Sequence, residues 1–160
     1  MKNKNLVQKI LTIVFAALLI IPTFVSWVSG TMSIGEASES QGLFFKDFTE
    51  VAYEFTKSGG ALQASEIIFW IAFGLAMLLI VLVVAQMLMP KVKVLGTLVK
   101  FTGLLLIVAS VAAFVSATIW CIANSESGTY TVTYYPLWGS AITLVAGLIG
   151  GIFGFVSNRK

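Results

Sequence analysis

Histidine is absent from this 160-residue chain, and cysteine occurs once, at Cys121. Without histidine, a zinc centre would have to rest on carboxylates, which suits that metal poorly. One cysteine cannot close an intrachain disulfide and leaves either a packed thiol or an intermolecular bridge. Charge is scarce as well: 11% of residues are Asp, Glu, Lys or Arg, against about 25% in soluble domains. No Asp, Glu, Lys, Arg or His occurs in 10–28, 67–89, 101–123 or 137–156. The groups that mark proton relays and ion pathways at membrane depth are therefore missing. The acids elsewhere match no cation-binding loop, and no glycine-rich phosphate loop follows a strand. These absences argue against an enzyme, and no cofactor or metal is expected.

The same four uncharged runs are the chain's main positive feature. A bilayer-spanning helix needs about 20 apolar residues, and each run meets or approaches that length. The expected fold class is an all-α membrane protein: one four-span domain, 1–160, with outer loops at 29–66 and 124–136. The first run also follows a basic segment, Lys2, Lys4 and Lys9, so a cleaved signal peptide is the alternative reading there.

Orientation follows from the basic residues. With both termini in the cytoplasm, eight of the ten lie inside and all seven acids lie outside. The net charge of +3 thus reports topology rather than an affinity for nucleic acid. Trp27, Trp70, Trp120 and Trp138 all fall at outer span ends, where indoles favour the head-group layer, and are expected to anchor the interface. A lysine- and asparagine-rich N-terminus and the lack of disulfides suit a bacterial plasma membrane.

Pro90 with Lys91 and Lys93 marks a tight inside turn at 90–96, making the second and third spans antiparallel neighbours. Gly147, Gly150, Gly151 and Gly154 form two overlapping small-residue pairs, matched in the third span by Ala109, Ala113 and Ala117. Such spacing allows close helix approach, either inside the bundle or between copies. Gln86, near the cytoplasmic end of the second span, is the strongest polar group within a span, and a hydrogen bond between helices or a place at the membrane interface is its expected role.

The outer loops hold the remaining pattern. Phe44, Phe48, Val51 and Phe55 share one helical stripe among Lys46, Asp47, Glu50, Glu54 and Lys57, predicting an amphipathic helix over 44–57 that ends at Gly59 and Gly60. In 128–139, Thr129, Thr131, Thr133 and Tyr135 alternate with Tyr130, Val132 and Tyr134, predicting a strand over 129–135. A lone strand is unstable, so an extended part of loop one, such as 31–34, is the expected partner. Together these elements form an extracellular cap with a short β-sheet. Its candidate partner-binding surface is Phe44, Phe48, Glu50, Glu54, Tyr130, Val132 and Tyr134.

Four spans with both ends inside, a long first outer loop and a short second one resemble the claudin and PMP22 group of tetraspan proteins. Trp27, then Gly42, Leu43 and Phe44, echo that group's loop-one Trp…Gly-Leu-Trp pattern. Leu62, Gln63 and Ala64 echo its Leu-Gln-Ala, and Trp120 echoes an aromatic near the end of the third span. Phe44 stands where the family has tryptophan, Ser65 and Glu66 where claudins have arginine, and the paired loop cysteines are missing. The resemblance implies one extracellular sheet fed by both outer loops.

The expectation for function is a non-enzymatic membrane protein. It would serve as an accessory or scaffold subunit, in contact with lipid and with a protein partner or further copies of itself. The alternative is an oligomeric channel or transporter component.

Overall fold

The computed structural model of the protein describes residues 2–34, 37–44, 59–127 and 131–157. α1 (Lys2–Ala17) continues as a 3-10 helix over Leu18–Thr23 and leads to β1 (Val28–Ile34) and β2 (Ala37–Leu43). α2 (Gly59–Leu88) and α3 (Lys93–Asn124) follow, then the two-residue β3 (Glu126–Ser127), β4 (Thr131–Pro136) and α4 (Trp138–Val156). Among the described residues, four helical stretches are long and apolar enough to cross a membrane: Asn5–Thr23, Gly60–Leu88, Lys93–Asn124 and Trp138–Val156. Helix is the natural outcome for such runs, because backbone N–H and C=O groups in lipid must be satisfied within the segment.

The span boundaries differ from those read off hydrophobicity. The first was expected to reach residue 28, but its helix ends at Thr23 and Val28 already belongs to β1. Pro22 has no N–H to give, and the last turn tightens to 3-10 geometry around it. Gly59 and Gly60, expected to end a helix, instead begin α2. The predicted amphipathic helix over 44–57 lies, apart from Phe44, outside the described residues. α2 and α3, at 30 and 32 residues, are each about 45 Å long or more at 1.5 Å per residue. That exceeds a hydrocarbon layer of about 30 Å, so both helices extend beyond it. Around Pro90 the reversal is short, with Val92 N–H donating to Met89 C=O at 3.2 Å before α3 starts at Lys93.

The helices form a closed ring in which α1 packs on α2, α2 on α3, α3 on α4 and α4 on α1. Its tightest seam joins α3 and α4. A Cβ on Gly151 would lie 2.6 Å from the Gly103 carbonyl oxygen, and one on Gly103 would lie 2.8 Å from that of Gly151. The two backbones touch, which only glycine at both positions permits. Gly147 sits against Ser110, Gly150 against Phe15 and Ala16, and Gly154 against Leu79 and Thr12. The small-residue face of α4 is thus occupied by the other three helices of the same chain.

Two buried clusters result. One fills the middle of the bundle around Leu19, Ala76, Leu79, Val83, Val99, Leu106 and Ala146. The other lies beneath the sheet and contains Trp27, Val28, Leu62, Phe69, Ala113, Ala117, Trp120 and Cys121. Cys121 is therefore a packed thiol, the first of the two readings left open for it.

Candidate functional site: the cap sheet

The strand order is β2-β1-β4-β3, with every pair antiparallel. β1 is central, so the strand from the second loop pairs with loop one, in the register Thr31 opposite Thr133. β2, rich in small polar residues of weak strand preference, had no strand signal of its own. Pairing with β1 from Val28–Leu43 to Ile34–Ala37 makes it one.

The sheet is tied firmly to the helices. Trp27 N–H donates to Leu43 C=O at 2.8 Å, Leu137 N–H to Trp27 C=O at 3.0 Å, and Gly139 N–H to Ser26 C=O at 3.0 Å. Tyr134 N–H donates to Ser125 Oγ at 2.9 Å, and that hydroxyl in turn donates to Cys121 C=O at 2.8 Å. Deeper down, Trp27 Nε1–H donates to Ser65 Oγ at 3.1 Å, and Ser65 Oγ–H donates to Ala113 C=O at 2.9 Å. One buried indole thus links the root of β1 to α2 and, through a serine, to α3.

Trp27 and Trp120 are fully buried, whereas Trp70 and Trp138 are 48% and 71% exposed. The expectation of four interfacial anchors is corrected by half. Trp70 and Trp138 keep the environment that suits an anchor. Trp27 packs edge-on against Phe69 with ring centroids 5.1 Å apart, and Trp120 against Tyr134 at 4.9 Å. The sheet lies over the ends of α2 and α3 and covers these two rings. The Trp120 indole N–H has no hydrogen-bond partner among the described residues.

The two faces of the sheet differ sharply. Facing the bundle are Val28 and Leu43, with Tyr134 beside Gly30, where a Cβ would come within 2.7 Å of the tyrosine ring. Glycine at this position makes room for Tyr134 to reach Trp120. Burial pushes the Tyr134 phenol above the usual tyrosine range. Val132, opposite Met32, shares this face and is half-buried.

The other face is built from hydroxyls in cross-strand rows. Ser29 lies beside Tyr135, Thr31 lies between Ser40 and Thr133, and Ser33 lies between Ser38 and Thr131. Thr31 Oγ1 and Ser40 Oγ are 2.9 Å apart, Thr31 Oγ1–H donates to Tyr135 Oη at 3.5 Å, and Ser29 Oγ–H donates to Gln41 C=O at 3.2 Å. Hydrogen bonds from Ser29, then Thr31 and Ser40, hold the Tyr135 phenol below the usual tyrosine range against the opposing effect of burial. Thr131, Thr133, Tyr135, Ser38 and Ser40 are exposed.

This arrangement corrects part of the predicted contact surface. Val132 and Tyr134 point toward the bundle, and the outward set on β4 is Thr131, Thr133 and Tyr135. The alternation was visible in the sequence, and so was the cue for choosing between its halves. The more apolar half should have been turned inward, since a one-sided sheet buries its apolar face. Phe44 is 37% exposed at the end of β2. Phe48, Glu50, Glu54 and Tyr130 lie outside the described residues. Among the described residues, no three of His, Cys, Asp and Glu come together in a way that could hold a metal ion. No family model matches the chain, and no curated protein is similar to it.

Proposed function

We propose that the protein is a non-enzymatic accessory or scaffold subunit of a membrane assembly, working through its cap. In this reading both termini are cytoplasmic, the membrane is a bacterial plasma membrane, and the cap stands on the outer side. The layout is that of a claudin- or PMP22-like tetraspan protein without the loop disulfide. The observation that carries the reading is the firm attachment of the sheet to the helices through Trp27, Ser65 and Ala113. A rigid platform of this kind holds a contact surface in a constant orientation above the membrane. Feeding of one sheet by both outer loops supports the tetraspan part of the reading.

The test is purification of the tagged protein from its native membranes in mild detergent. A stoichiometric protein partner, lost when the cap strands are altered, is expected. Recovery of a lone monomer in every detergent would count against the reading. A channel or transporter built by oligomerising has less support, because the glycine face that would join copies is used within the chain.

A further inference from the structure

We propose that the hydroxyl face of the cap sheet binds a neutral glycan; this rests on the reading of the cap as an outward contact surface. Ser29 at its foot is buried and Thr31 and Ser33 are half-buried, but beside them the face is open, with Thr131, Thr133 and Tyr135 exposed along β4 and Ser38 and Ser40 exposed along β2. Its composition is unusual for a solvated sheet face, where lysine and other charged residues are the common choice. From Ser29 to Ser33 and across both neighbouring strands, every outward position holds a hydroxyl except Gly42. Glu39, the charged residue of β2, is in register with Met32 and lies on the opposite face.

That chemistry selects its partner. Among the described residues, an anionic ligand such as a phosphorylated head group or nucleic acid finds no cation on this face, and a basic peptide finds no carboxylate. An apolar surface would bury the hydroxyls without new partners, which is costly. A polyhydroxylated neutral chain suffers none of these penalties, because its own hydroxyls both donate and accept. Each protein hydroxyl has one proton and two acceptor sites, so the bonds from Thr31 to its neighbours leave capacity for a ligand. Those bonds also order the rows in advance, which lowers the entropic cost of binding. The rows repeat at about 4.8 Å across strands and about 6.8 Å along them, a two-dimensional grid suited to an extended sugar chain. Tyr135, 40% exposed at the foot of the grid, adds an aromatic surface for the apolar C–H face of a sugar ring.

The experiment uses the full chain in phosphatidylcholine nanodiscs, with no glycoside detergent present. It is titrated calorimetrically with cellohexaose, maltohexaose and an acidic hyaluronan hexasaccharide. At least one neutral oligosaccharide is expected to bind, and Thr31→Val with Thr133→Val should weaken it about tenfold or more. Thr133→Val alone, at an exposed site, should weaken binding by a smaller factor and guards against misfolding of the double variant. Near-ultraviolet circular dichroism of the tyrosines checks the cap in each. The proposal falls if neither neutral sugar binds, if the acidic one binds more tightly, or if both variants bind like the parent. It also falls if the parent is a dimer that the same substitutions dissociate, since the face would then belong to a second copy. A protein partner bound by the parent and lost from the double variant, with no sugar binding by either, would leave the accessory-subunit reading standing while removing the glycan.

Discussion

Along α4, Gly147, Gly150, Gly151 and Gly154 lie against three other helices, while across the cap Thr31, Thr133 and their neighbours form a face turned away from them. Both surfaces are made mostly of small residues, but their environments give that smallness opposite uses. Between apolar helices in lipid, removing side chains is the route to close approach, because burial alone supplies no drive. Above the bundle, small hydroxyl side chains leave a low, hydrogen-bonding surface. Small residues therefore mark contact in one region and accessibility in the other.

The largest effect should come from filling the helix seam. Gly151→Leu would drive a side chain into Ile107 and the Gly103 backbone. It should cost about 3 kcal/mol or more of bundle stability, read as unfolding at lower denaturant in a detergent titration. A variant as stable as the parent would break the contrast between seam and cap.

The tryptophans sharpen it next. Trp27→Ala removes a fully buried ring and should cost about 3–5 kcal/mol. Trp138→Ala, at a ring 71% exposed, should stay within about 0.5 kcal/mol. Thermal unfolding of the two side by side makes the comparison, and equal losses would contradict the burial difference. Ser65→Ala leaves the Trp27 indole without the acceptor it has here and should cost about 1–3 kcal/mol. Thr133→Val, on the open face, should shift stability by about 0.5 kcal/mol or less in the same assay.

The smallest effect is the alkaline titration of the two adjacent tyrosines. Tyr135 is held below the ordinary value of 10 and Tyr134 is raised above it. Phenolate absorbance should therefore show Tyr135 ionising first, below pH 10, and Tyr134 later, above it. Tyr135→Phe should remove the early step and Tyr134→Phe the late one. By linkage, the Tyr134 contribution to stability is complete below pH 10 and is lost as pH rises through its folded value. The Tyr135 contribution has the opposite sign, appearing as pH rises through its depressed value and complete above 10. A reversed order would exchange the two faces of the sheet.

Much of this architecture could be read from local pattern. Long uncharged runs require helices, because the lipid interior offers the backbone no other partner. The alternation in 131–135 requires a strand, and its apolar members require a covered side. The second strand, 37–43, carried no such pattern and exists because β1 templates it. The end of the first span was hidden for a related reason. Phe24, Val25, Trp27 and Val28 continue the apolar run, yet Pro22 has already closed the helix. At Trp27 and Val28, both fully buried, hydrophobicity reports packing between sheet and bundle rather than passage through lipid.

The number of spans, their antiparallel order around Pro90 and the strand before α4 are all written in local pattern. Each depends on composition and near-neighbour geometry, which a linear chain carries fully. Where Trp27 and Trp120 sit, which helices meet the glycines of α4, and which side of β4 faces outward were settled by packing. Those outcomes depend on residues far apart in the chain. Gly30 clears space for Tyr134, Ser65 accepts from Trp27, and Gly103 receives Gly151. None of these distant pairings leaves a mark on the periodicity of its own segment.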